Sequence, residues 1–199
     1  MGQYYLPSLL KTNYKTSKQP IKKQLCAHRF CEGLKLMEHS WTNGHLMQVV
    51  EYMLSTNKRN PFVWAGDYAE NLEGHDDNAF NLGDALDLSD KILKHLPLVD
   101  EKSWLGMEHR LAPEAVKVYK YAINHSKKEY VAIPEANDEI HPLPLLTAES
   151  NGLGGGDYFG KAGMKYVGSW KYDVISVGNE VPKGYVKINP KFKECPSYR

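Results

Sequence analysis

The run VKVYKYAINHSKKEYVAI, residues 116–133, constrains the fold more than any other stretch. β-branched and aromatic residues stand on both sides of a polar turn at Asn124–Lys128, the composition of two strands joined as a hairpin. Runs of the same kind recur along the chain. QYYLPSLL opens it, with Pro7 expected at an edge or a bulge. QLCAHRF is its expected hairpin partner across the turn-rich NYKTSKQP, and Phe62–Ala65, LPLLTA, MKYVGSW, DVISV and GYVKINPKF read as further strands. One segment has clear helical periodicity. Leu46, Val49, Val50, Met53 and Leu54 predict an amphipathic helix over about 43–57, capped by Thr42 or Asn43 and ended near Asn57. A short second helix is expected around Ser89–Leu96. Most connections are too short for crossover helices, so the expected class is α+β: a mostly antiparallel sheet with one main helix packed on it. Without an internal repeat or a low-complexity linker, residues 1–199 are expected to form a single domain.

Lys+Arg 25 against Asp+Glu 24 leaves almost no net charge. Binding to duplex nucleic acid by phosphate neutralisation usually needs a basic excess, so it is not expected. The basic stretch Lys11–Lys23 reads as a solvated loop. No run of eighteen apolar residues is present, so no membrane partner is expected. MGQYYLPSLL lacks a charged segment and a small-residue cleavage site, and position six carries no Ser or Thr for myristoylation. Three cysteines, Cys26, Cys31 and Cys195, are an odd count that fits reduced thiols and a cytoplasmic location.

NGLGGGDYFG, residues 151–160, holds five glycines in ten residues. A phosphate loop needs G-x-x-x-x-G-K-[ST]; Gly155, Gly160 and Lys161 fit, but Ala162 stands where the hydroxyl belongs. A dinucleotide loop, G-x-G-x-x-G, starts at Gly152 and Gly154 and fails at Asp157. Consecutive glycine amides can still surround an anion without either motif. The expected ligand site is therefore Asn151, Gly154, Gly155, Gly156, Asp157 and Tyr158, with Trp170 as a second stacking ring. The competing reading is a wide turn whose glycines supply positive φ.

Asp67, His75, Asp76 and Asp77, in WAGDYAENLEGHDDN, form an alternative metal site. A strand ending in Gly-Asp is one element of metallophosphoesterases, but the upstream Asp-x-His and downstream Gly-Asn-His are missing. The same segment also reads as a solvated acidic loop. Cys26 and His28 would share a strand face, yet a zinc site would lack its fourth ligand. No G-x-S-x-G elbow surrounds Ser169, where Val167 and Lys171 take the glycine positions. Glu38-His39 and Glu108-His109 are adjacent, and neighbours on a strand point apart.

GLKLMEHSW, WAGDYAE, INHSKKEYV, HPLPLLTAESNGLGGGDYFG and VGSWKYDVISV, taken together, resemble a family of bacteriophage and bacterial proteins that open MGQYY. No activity accompanies the resemblance, so no catalytic residue is carried over. It implies a phage-type protein of the host cytoplasm and, by analogy, a counter-defence factor. The first expectation is a non-enzymatic protein that binds or sequesters a small anionic, nucleotide-like ligand, with no cofactor. A metal-dependent hydrolase and a protein–protein inhibitor of a host enzyme are the alternatives.

Overall fold

The computed structural model describes residues 3–83, 93–103, 106–134, 139–149, 158 and 163–193. Its strands are β1 (Tyr5–Leu10), β2 (Ile21–Gln24), β3 (Pro61–Gly66), β4 (Leu98–Ser103), β5 (Gly106–Leu111), β6 (Tyr121–Asn124), β7 (Glu129–Ala132), β8 (Ala148–Glu149), β9 (Asp173–Gly178) and β10 (Val186–Lys187). Among the described residues two α-helices accompany them, α1 (His45–Ser55) and α2 (Pro142–Thr147). One sheet of eight strands runs in the order β10-β7-β6-β9-β3-β1-β2, with β8 pairing β3 off that path, and β4–β5 form a separate ribbon. Only β3–β8 and β7–β10 are parallel; the other pairs are antiparallel. The class is α+β with a mostly antiparallel sheet.

β3 explains why its sequence is apolar without alternation. Phe62 and Trp64 enter the main core under α1, while Val63 and Ala65 enter a second cluster with Leu10, Leu72 and Ala79. Covered on both faces, the strand has no polar side to show. Its second edge is divided: Pro61 and Phe62 pair with β9, whereas Trp64 and Ala65 pair with β8. On the other side β1 is antiparallel to both β2 and β3, so those two strands begin together at the Leu10 end.

Pro7 lies inside the sheet and not at an edge, and the bulge falls between Leu9 and Leu10. Its carbonyl accepts the Leu25 N–H at 3.1 Å. The missing N–H falls on that same side, facing Leu25 just past the end of β2, so the bond it forgoes lies at the end of that pairing.

The five periodic residues of α1 are all buried. Its cap differs from expectation. Thr42 Oγ1 donates to the Glu139 carbonyl at 2.8 Å, and Gly44 occupies the N-cap position. The acceptor for the first turn comes instead from Glu32, whose Oε1 receives the Leu46 N–H at 3.1 Å.

Three expected strands are something else. QLCAHRF begins after β2 has all but ended, and Ala27–Phe30 is a turn of 3-10 helix, so Cys26 and His28 do not share a strand face. LPLLTA is α2. Pro142 and Pro144 occupy its first turn, where the amide hydrogens have no helical acceptor anyway, and His141 Nδ1 accepts the Leu143 N–H at 3.2 Å. MKYVGSW turns at Gly163 and Gly168, both with positive φ, and lies along α2, giving the Gly168 and Trp170 N–H groups to the Leu145 and Leu146 carbonyls at 2.8 and 2.7 Å. Of the helix expected at Ser89–Leu96, residues 89–92 lie outside the described residues.

Candidate functional site

Of the residues expected to bind ligand, Asn151, Gly154, Gly155, Gly156 and Asp157 lie outside the described residues. Tyr158 and Trp170 are described, and neither presents a ring face to solvent. Tyr158 is 3% exposed; its hydroxyl accepts the Lys193 N–H at 3.1 Å and its ring meets Phe192 edge-on at 5.7 Å. Trp170 is completely buried, and its Nε1–H donates to Glu129 Oε2 at 2.9 Å. Both rings serve packing, so the stacking role expected of them has no exposed surface to act through.

The acidic segment is tied up in holding its own loop. Asp67 Oδ1 accepts the Tyr4 N–H at 3.0 Å. His75 Nε2 bonds the Tyr14 carbonyl at 2.6 Å, and Asp77 Oδ1 accepts from the Asn78 amide at 2.8 Å and from Asn81 Nδ2 at 2.9 Å. Asp76 is exposed. Among the described residues no three His, Cys, Asp or Glu side chains converge in a way that would hold a metal ion.

Where β3 divides, a polar knot anchors the end of β8. The Tyr172 hydroxyl donates to Glu149 Oε2, Lys171 Nζ lies 3.5 Å from Glu149 Oε1, and Tyr14 stacks on Tyr172 at 5.8 Å. Burial raises the Glu149 pKa, and the Tyr172 hydrogen bond and Lys171 charge oppose it. Burial and the facing Glu149 push the Tyr172 phenol far up, so the hydroxyl keeps its proton and remains the donor.

The buried histidines are structural. His39 Nδ1 accepts from Trp64 Nε1 at 2.8 Å and Nε2 donates to the Gly33 carbonyl at 2.7 Å; burial lowers its pKa to about 4. His141 Nε2 lies 3.1 Å from Glu51 Oε1 while its other nitrogen caps α2. On β5 Glu108 is buried and His109 reaches Asp100 at 2.8 Å, so that adjacent pair does point apart. His125 resembles a base beside a nucleophile, with Nε2 2.7 Å from Ser176 Oγ and Nδ1 3.0 Å from the Tyr185 hydroxyl. A tyrosine hydroxyl stands where a triad has a carboxylate, and burial lowers the His125 pKa, so the pair lacks what a triad needs.

The arrangement with most chemical capacity is one the sequence reading missed. Because β2 and β3 begin at the same end of β1, on either side of it, Lys22, Lys23, Lys58 and Arg59 line one recess of about 260 Å³ together with Leu9 and Met53. An amide network sets its shape. Asn57 Nδ2 donates to the Asn60 and Ile175 carbonyls at 2.8 and 3.0 Å, Asn60 Nδ2 donates to the Leu10 carbonyl at 2.8 Å, and Lys22 Nζ donates to Asn60 Oδ1 at 2.8 Å. Among the described residues no carboxylate pairs with any of the four cations. Lys23 is half-buried, and burial first and the Lys22 charge second lower its pKa. Lys58 and Arg59 follow the end of α1, where cations complement the helix dipole. That accounts for two of the four and leaves Lys22 and Lys23 unexplained.

Comparison with known protein families, curated proteins and solved structures finds no match to this chain. Among the described residues no helix is long and apolar enough to cross a membrane.

Proposed function

We propose that this chain is a binding protein for a small phosphate-bearing anion, held in the recess between the starts of β2 and β3. One observation carries the reading: Lys22, Lys23, Lys58 and Arg59 all line one concavity and have no carboxylate partner among the described residues. Burial first and the neighbouring Lys22 charge second disfavour the charged form of Lys23, and a bound anion offsets both. Arg59 supplies a planar fork suited to phosphate, and the lysines supply point charges. This keeps the ligand class expected from the sequence and gives it a site independent of the glycine segment. The resemblance to bacteriophage proteins supports a setting in the host cytoplasm and a role in sequestering a host-derived nucleotide signal.

Isothermal titration at low ionic strength, against inorganic phosphate and a panel of linear and cyclic nucleotides, tests the reading. Stoichiometric binding that weakens about tenfold or more in a Lys23→Gln, Arg59→Gln protein is expected. Absence of binding across the panel, or affinity unchanged by the double substitution, refutes it.

A further inference from the structure

We infer that the recess recognises the charge density of a compact oligophosphate and does not read a nucleobase. The inference rests on the recess being the binding site, and it narrows the ligand to a linear di- or triphosphate, free or carried by a nucleoside whose base remains in solvent.

The donors decide it. Base recognition needs hydrogen-bonding groups free to meet a base edge and a ring to stack on. Most of the neutral side-chain donors here are already committed. Both Asn57 and Asn60 amides donate to carbonyls, the Asn57 Oδ1 accepts the Asn60 N–H at 3.0 Å, and Asn60 Oδ1 is taken by Lys22. Thr56 Oγ1 donates back to the Met53 carbonyl at 3.1 Å. No aromatic side chain lines the recess among the described residues. The side-chain donors that remain are mainly cationic: the Lys23, Lys58 and Arg59 heads and the remaining hydrogens of Lys22, beside one hydrogen of the Asn60 amide. Size agrees, since about 260 Å³ falls below the usual range for enclosing a whole drug-sized ligand. A di- or triphosphate also carries more negative charge than a single phosphate to set against the four cations that line the recess.

Calorimetry of the full chain at low salt with tripolyphosphate, ATP, GTP, AMP and adenosine tests this. The expected result is equal binding of tripolyphosphate, ATP and GTP within about threefold, AMP weaker by about tenfold or more, and adenosine without measurable heat. Lys23→Gln and Arg59→Gln should each weaken tripolyphosphate and ATP in parallel, while circular dichroism and the thermal midpoint confirm that each variant is folded. If ATP binds more than about tenfold tighter than tripolyphosphate, or ATP and GTP differ by that much, the recess reads more than charge; the inference fails and anion binding stands. If none of the phosphate compounds binds, both fall.

Discussion

Replacing Glu32 with glutamine isolates the cost of keeping a carboxylate against the start of α1. Glu32 Oε1 takes the Leu46 N–H at 3.1 Å, beside a recess of about 420 Å³ lined by His28, Cys31 and Gly33. Burial raises its pKa from 4.5 to about 7, and hydrogen bonds from the Leu46 and His45 amides only partly oppose it. Between those two values the folded protein holds a proton that the unfolded chain has released. Stability therefore falls as pH rises from 4.5 and the full loss is reached above 7. Roughly 2.5 pH units at about 1.36 kcal/mol each bounds the loss at about 3 kcal/mol. His39 has the opposite slope: with its pKa lowered from 6.5 to about 4, it adds stability as pH rises across that window. The two groups largely offset one another in the parent protein between pH 4.5 and 6.5. Glutamine keeps the acceptor oxygen and never ionises, so only the His39 slope survives in Glu32→Gln. Urea unfolding of both proteins from about pH 5 to about pH 8 should show the variant gaining about 2–3 kcal/mol on the parent across that range. A difference between the two that does not change with pH would mean that the carboxylate is not desolvated, and the reasoning would be refuted.

Three further substitutions probe the same framework. Gly44→Ala would place a methyl 2.7 Å from Glu32 Oε1 and 3.3 Å from the Trp41 carbonyl, so the cap must move and about 1 kcal/mol of stability is lost by urea unfolding. Trp64→Phe removes the donor to His39 Nδ1 inside the core; a loss of at least about 1–3 kcal/mol is expected, and a thermal midpoint equal to the parent's would contradict the assigned hydrogen bond. Tyr172→Phe leaves Glu149 with Lys171 at 3.5 Å as its remaining side-chain partner and should destabilise by about 1–3 kcal/mol, more at neutral than at acid pH because the orphaned carboxyl then resists ionisation.

Periodicity and β composition made the frame legible. Leu46 to Leu54 marked α1 and the 116–133 run marked the β6–β7 hairpin, because each pattern is strong over a whole element. LPLLTA was not legible as α2: a short apolar run reads alike as strand or helix, and its prolines become favourable only once His141 caps the turn. The cap of α1 escaped because Glu32 is thirteen residues from His45 and reaches the helix through tertiary folding. The recess escaped for a similar reason. Lys22-Lys23 and Lys58-Arg59 look like separate solvated pairs until β1, antiparallel to both following strands, brings their starts together. A cation pair immediately before or within the first residues of two such strands was the available signal. Tyr158 and Trp170 read in the sequence as rings near glycines, and their burial follows only from the packing.

The central claim concerns place as much as affinity, so amide chemical-shift mapping tests it most directly. Titrating tripolyphosphate into isotopically labelled protein should shift the amides of residues 21–24 and 56–60 together, saturating along one curve, with little change elsewhere. Shifts confined to residues 151–160, or scattered over the surface without saturation, would contradict binding in the recess.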